Sequence, residues 1–156
     1  MTVSLRAITD DDNDFLYQVY ASTREEELRS TPWSAEEKAE FLRMQFQAQH
    51  NHFQEHFRDA RYEIILLGET RVGRLYIHRG KTEVRILDIA LLSEYRGQGI
   101  GGKIVRDVLD EAQESGKAVR LHVEQNNPAM RLYARLGFKR LEDVGMHCLM
   151  EWLPVG

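Results

Sequence analysis

The segment Ser93-Glu94-Tyr95-Arg96-Gly97-Gln98-Gly99-Ile100-Gly101-Gly102-Lys103 constrains this chain more than any other part of it. It lies between two apolar stretches of different periodicity. Before it, Val84 to Leu92 is apolar on nearly every position, the pattern of a strand covered on both faces. After it, Ile104, Val108, Leu109 and Ala112 recur at helical spacing from Ile100 to Glu114, and Ser115-Gly116 closes the helix. A buried strand that runs through glycines into an amphipathic helix brings backbone close to a ligand with no Cβ in the way. The free amides of the first helical turn, with the positive end of the helix dipole, favour a phosphate there. Arg96 and Lys103 add charge of the right sign. A Walker loop needs Ser or Thr after Gly-Lys, and Gly102-Lys103-Ile104 lacks it. Gly97-x-Gly99-x-x-Gly102 has dinucleotide spacing, but that fingerprint opens a parallel βαβ unit near its first strand, and here it lies past mid-chain after a hairpin.

The remaining chain alternates strands and helices. Val3 to Ile8 reads as a strand, and Thr9 to Asp12 supplies helix-starting side chains for a helix carrying Phe15, Leu16, Val19 and Tyr20. Thr31-Pro32 breaks the chain before Trp33. Ser34 and Glu37 have the spacing of a capping box. A second helical stripe of Phe41, Met44, Ala48, His52 and Phe53 then runs to about Phe57. Tyr62 to Leu67 and Val72 to His78 read as strands, with a turn at Arg79-Gly80-Lys81. Val119 to Val123 is a further strand and Pro128 to Leu136 a further helix, stopped by Gly137. Two strands near Phe138–Leu141 and Met146–Trp152 finish the pattern. No linker divides residues 1–156, so one α+β domain is expected.

Composition narrows the function classes. At 156 residues, 42% hydrophobic and 29% charged, the chain has an ordinary globular balance. No window offers the ~18 uninterrupted apolar residues of a membrane span, and Met1 to Asp14 lacks an export signal. A single cysteine, Cys148, excludes an intrachain disulfide and suits a reducing cytoplasm. The net charge of −4 argues against a nucleic-acid binder. Residues 1–60 carry 12 acidic and 6 basic side chains, whereas residues 61–156 carry 13 and 15, so the excess of acid lies in the first third.

Two motifs in this order are similar to those of the GCN5-related N-acetyltransferases. The first is Arg96-x-x-Gly99-x-Gly101 after a strand. The second is Asn126-x-x-Ala129-x-x-Leu132-Tyr133-x-x-x-Gly137-Phe138. Ser93 stands where the family often has proline, and the order of elements from Val3 to Trp152 also matches.

The resemblance implies a mixed, mostly antiparallel central sheet with a strand splay, flanked by about four helices, and acetyl-CoA as co-substrate. Arg96, Gly97, Gln98, Gly99, Ile100, Gly101 and Gly102 would hold the CoA pyrophosphate. The end of the preceding strand, Ile89, Ala90 and Leu91, would pair with the pantetheine arm as an added strand. Asn126 or Asn127 would contact CoA beyond the splay. Tyr133 corresponds to the general acid that assists the departing thiolate. Asp88, His122 and Glu124 near the splay are alternatives for deprotonating the amine, as is ordered water. Asp88 is conspicuous as a carboxylate in an apolar strand, and His122 for its pKa range. Glu25, Glu26, Glu27 and Trp33 are candidates for binding a cationic acceptor. The expectation is direct transfer of acetyl to a primary amine in a ternary complex, with no metal, and a homodimer is compatible with the strand edges.

Two other readings compete. A non-catalytic acyl-CoA-binding or sensing module on the same fold would bind acetyl-CoA and transfer nothing. His52, Glu55 and His56 match the His-x-x-Glu-His pattern of a zinc hydrolase, with no downstream ligand motif.

Overall fold

A computed structural model describes residues 2–156. Seven strands and four helices follow in the order β1 (Val3–Ala7), α1 (Asn13–Arg29), α2 (Ala35–His56), β2 (Arg61–Leu67), β3 (Thr70–Arg79), β4 (Glu83–Leu91), α3 (Ile100–Ser115), β5 (Ala118–Glu124), α4 (Ala129–Arg135), β6 (Lys139–Val144) and β7 (His147–Trp152). Short 3-10 turns at Asp10–Asp12 and Ser93–Tyr95 precede α1 and the glycine loop. The strands hydrogen-bond in the order β1-β2-β3-β4-β5-β7-β6. β1 and β2, β5 and β7, and β7 and β6 pair antiparallel, whereas β4 and β5 pair parallel. The mixed sheet with four helices agrees with the fold expected from sequence. The chain forms two compact units: residues up to Leu75 with Ala90–Arg96, and Tyr76–Ile89 with Gly97–Gly156.

In the first unit, Phe15, Leu16, Val19 and Tyr20 on α1 are buried as their spacing requires. The capping box at α2 forms, with Glu37 N donating to Ser34 Oγ and Ser34 N to Glu37 Oε1, both at 3.1 Å. The expected apolar stripe of α2 is out of phase, however. Met44 and His52 face solvent, and the buried residue is Leu42, packed with Tyr20 and Leu28. Gln49 explains the shift: its Oε1 accepts at 3.0 Å from Nη2 of Arg74, an arginine buried in β3 whose guanidinium lies 5.8 Å from the Tyr20 ring centroid. A polar side chain therefore takes an inward position on α2 to meet a buried charge. Asp12 is a second buried charge. It accepts from Arg6 at 2.7 and 2.9 Å, from Thr9 N at 2.9 Å and from Arg71 at 3.1 Å. The Arg6 hydrogen bonds, more than any other contact, hold its carboxyl well below the usual range.

In the second unit, Ile104, Val105, Val108, Leu109 and Ala112 bury the inner face of α3, and Gly116 ends it at φ 66°. Lys117 Nζ donates to Gly80 O at 2.8 Å, and Arg79 grips Glu111 at 2.6 and 3.0 Å. Cys148 on β7 is a free thiol with no exposed surface.

Candidate active site

The first element of the site is a parting of strands within the second unit. The parallel ladder of β4 and β5 pairs Glu83–Ile86 with Ala118–Leu121 and ends there. β5 continues to Glu124 against β7, while β4 runs on through Asp88 and Ile89. This is the splay expected at these positions. Along β5, Leu121 and Val123 are buried and alternate with exposed His122 and Glu124, so the two polar residues share one face.

The glycine loop begins α3. Gly97 and Gly99 have φ of 74° and 83°, and a Cβ at either would meet nothing within 4 Å. Backbone conformation, rather than crowding by neighbours, therefore selects glycine at these two positions. The open space beside them is a cradle that a side chain would fill. Gly99 is the N-cap of α3 and supplies no side chain to the first-turn amides, and no acidic residue stands in that turn. Such a turn can accept an anionic group. Gly102 differs: it is buried, and a Cβ there would touch Arg106 at 3.4 Å and Leu132 at 3.6 Å, so its small size serves the approach of α3 to α4. Ile100 anchors the same turn in the core. Lys103 forms an exposed pair with Asp107 at 2.9 Å.

Arg96, Ala90 and Leu91 belong to the first unit. Arg96 Nε donates to Leu91 O at 3.0 Å and Nη2 to Ser22 Oγ at 3.4 Å, so its guanidinium ties the loop's start to the strand end. Gly73 on β3 was not singled out from sequence. A methyl there would run into Ala90 O and Leu91 Cδ2, and only glycine lets β3 come this close to Ala90.

Tyr133 on α4 is buried, its ring edge-on to Phe138 at 5.6 Å between centroids. Burial, and next the charge of Asp88, push its phenol up to about 12, so it holds its proton at neutral pH. The structure thus brings Tyr133 and Asp88 within electrostatic reach. His122 lies below the ordinary histidine value because of partial burial, then the charges of Arg85 and His147, against an opposing effect of Glu142. Its imidazole is neutral at pH 7 and able to accept a proton. The two asparagines diverge. Asn127 Oδ1 accepts from Ala129 N at 2.9 Å and caps the turn into α4, whereas Asn126 is exposed beside it.

The acceptor candidates are not gathered as a group. Glu25, Glu26 and Glu27 are exposed on α1, and Glu27 pairs with Arg24 at 3.0 Å. Trp33 instead lines an open groove of about 590 Å³ with Glu37, Glu40, Phe41 and Met44, its ring 5.1 Å from Phe41. Glu37 and Glu40 are the acidic neighbours that sequence spacing on α2 could have suggested. His52 and His56 stack at 4.3 Å, and His56 Nδ1 lies 3.0 Å from His52 O. Among the described residues no group of three His, Cys, Asp or Glu side chains could hold a metal ion. No helix among them is long and apolar enough to cross a membrane.

The parting of β4 and β5, the glycine-opened start of α3 and the protonated Tyr133 all belong to the second unit, and comparison with known proteins gives the class. The family model described as acetyltransferase (GNAT) family matches residues 14–138, and this chain belongs to that family. It is similar to the thialysine N-epsilon-acetyltransferase of Bos taurus, 45% identical over 64 residues that make up 39% of this chain and 38% of the relative. It is also similar to the N-alpha-acetyltransferase RimI of Mycobacterium tuberculosis, 34% identical over 90 residues, 55% of this chain and 53% of that one. The chain thus spans about half or less of the length of these relatives. Among solved structures, the PaiA N-acetyltransferase of Thermoplasma acidophilum in complex with coenzyme A shares the fold. Its TM-score is 0.72 at 19% identity, over 98% of this chain and 99% of that one.

Proposed function

We propose that this chain transfers an acetyl group from acetyl-CoA directly to a primary amine, both bound at once. The observation that carries this reading is the pairing of two features: a β4–β5 ladder that ends at Ile86 and Leu121, and the open, positive-φ glycines at 97 and 99. The amides from Gly97 to Gly101 would hold the pyrophosphate, and Ile89 to Leu91 the pantetheine arm, with Asn126 as its polar neighbour since Asn127 is engaged in capping. When bound, acetyl-CoA supplies an activated thioester carbonyl. Tyr133 presents its Oη proton to the departing sulfur. At about 12, that phenol is a far weaker acid than a cysteine-like thiol at ~8.5, so outright proton transfer from the buried Tyr133 would be uphill by ~5 kcal/mol. Its contribution is therefore a hydrogen bond that strengthens as charge develops on sulfur. Asp88, His122 and Glu124 are the nearby groups able to take the amine's proton, directly or through water. Of these His122 is the neutral base at pH 7. Most of the rate enhancement would come from holding both reactants in place. A reducing, cytoplasmic location suits the free thiol of Cys148.

Calorimetric titration with acetyl-CoA tests the reading. Wild type and Tyr133→Phe are expected to bind and Gly99→Glu to fail, since a carboxylate at that position repels the pyrophosphate and resists φ 83°. In an amine-library screen for CoA release, Tyr133→Phe should lose ~10²-fold or more in rate. Absence of binding to acetyl-CoA by folded wild-type protein would overturn the proposal. Binding without turnover on any amine would favour a sensing module instead.

A further inference from the structure

Several arginines of this protein are paired with carboxylates. Arg6 and Arg71 share Asp12, Arg79 grips Glu111, and Arg120 lies 2.7 Å from Glu151. Arg96 is held differently. Its Nε donates to Leu91 O at 3.0 Å and its Nη2 to Ser22 Oγ at 3.4 Å, and among the described residues it forms no ion pair. Both acceptors are neutral. They come from the end of β4 and from α1, and all three residues lie in the first unit.

The hydroxyl of Ser22 has one proton, and that proton is committed. Ser22 Oγ donates to Val19 O at 2.8 Å, one turn back on α1, so only lone pairs remain for Arg96. Ser22 therefore accepts from the guanidinium and has no proton left to set against it. Tethers of this kind fix where the guanidinium sits without neutralising it. A carboxylate in the same place would hold Arg96 more firmly, but it would cancel the charge and compete with a phosphate for the same N–H groups. A guanidinium has five N–H donors. The two tethers use one on Nε and one on Nη2, and the rest stay open to an anion, which can reach them because Arg96 is exposed.

We infer that Ser22 is a positioning residue for acetyl-CoA: together with the Leu91 carbonyl it sets the Arg96 guanidinium as a charged contact, not neutralised from within, for the phosphates of the co-substrate. The inference rests on the proposed use of acetyl-CoA. It gives α1 a part in co-substrate binding as well as in the core. Nothing beside Ser22 in the sequence marks this role, because Arg96 lies 74 residues further on.

Calorimetric titration with acetyl-CoA tests it through substitutions that a merely structural role would rank differently. Ser22→Ala removes one tether and should weaken binding about three- to tenfold. Ser22→Thr keeps the oxygen and its bond to Val19 O, and should restore binding to within about twofold of wild type. Ser22→Asp gives Arg96 an ion pair, which would strengthen a purely structural link. It should nevertheless weaken binding about tenfold or more, because the guanidinium is then neutralised. In an Arg96→Ala background, Ser22→Ala should have no further effect. Circular dichroism melts check that each variant is folded. Failure of folded wild type to bind acetyl-CoA would overturn the underlying reading and the inference with it. If wild type binds, the inference alone is overturned by any of four results: Ser22→Ala binding equally well, Ser22→Thr failing to rescue, Ser22→Asp binding as tightly as wild type, or Ser22→Ala and Arg96→Ala acting independently.

Discussion

Tyr133 and Asp12 are titratable groups whose burial has opposite consequences for pH dependence. The Tyr133 phenol is raised from about 10 in the unfolded chain to about 12 when folded, so the folded state holds its proton more tightly. The stability this provides is whole below pH ~10 and is lost as pH rises toward 12, a difference of roughly 2–3 kcal/mol. In urea unfolding across that alkaline range, wild type should lose stability more steeply than Tyr133→Phe. Asp12 runs the other way. Its carboxyl is depressed by Arg6, so it stabilises the fold above an ordinary carboxylate value of about 4 and loses that effect as pH falls further. Asp12→Asn should cost ~1–3 kcal/mol at pH 7, and the gap from wild type should narrow in unfolding curves measured progressively below pH 4. Sequence made Tyr133 legible through its motif. Asp12 looked only like one of several helix-starting acids, because its partners Arg6 and Arg71 come from β1 and β3.

Elements set by local chemistry could be read from the chain: the capping box of α2, the glycine stop of α3 and the turn at Gly80. Those set by distant contacts could not. The phase of α2 depends on Arg74 reaching Gln49, 25 residues away in sequence. Gly73 likewise looked like an interior residue of an ordinary strand, and its role appears only once β3 lies against Ala90. Gly73→Ala should displace that strand end, destabilising the protein by about 1–3 kcal/mol. It should also weaken acetyl-CoA binding in calorimetry more than a substitution of equal stability cost elsewhere in the first unit, such as Leu42→Ala on α2. The strand splay was legible only through the family resemblance, since no residue pattern in β4 or β5 marks where their ladder ends.

At the scale of the whole molecule, β3 and β4 each contribute residues to both compact units. Continuous strands of this kind lead us to expect cooperative unfolding as one domain. The two tryptophans give separate reporters, Trp33 in the first unit and Trp152 in the second. Fluorescence of Trp33→Phe and Trp152→Phe proteins in urea should give coincident midpoints, each matching far-UV circular dichroism of the same protein. Separated midpoints would mean that the units unfold independently. The burial of Cys148 has a practical consequence for measuring turnover. A thiol-reactive dye added to an acetylation assay will titrate liberated CoA alone, because the protein's one sulfhydryl is shielded within β7 while the chain is folded. Added denaturant then releases one further equivalent per polypeptide, so a single cuvette yields both the product formed and the amount of enzyme that formed it.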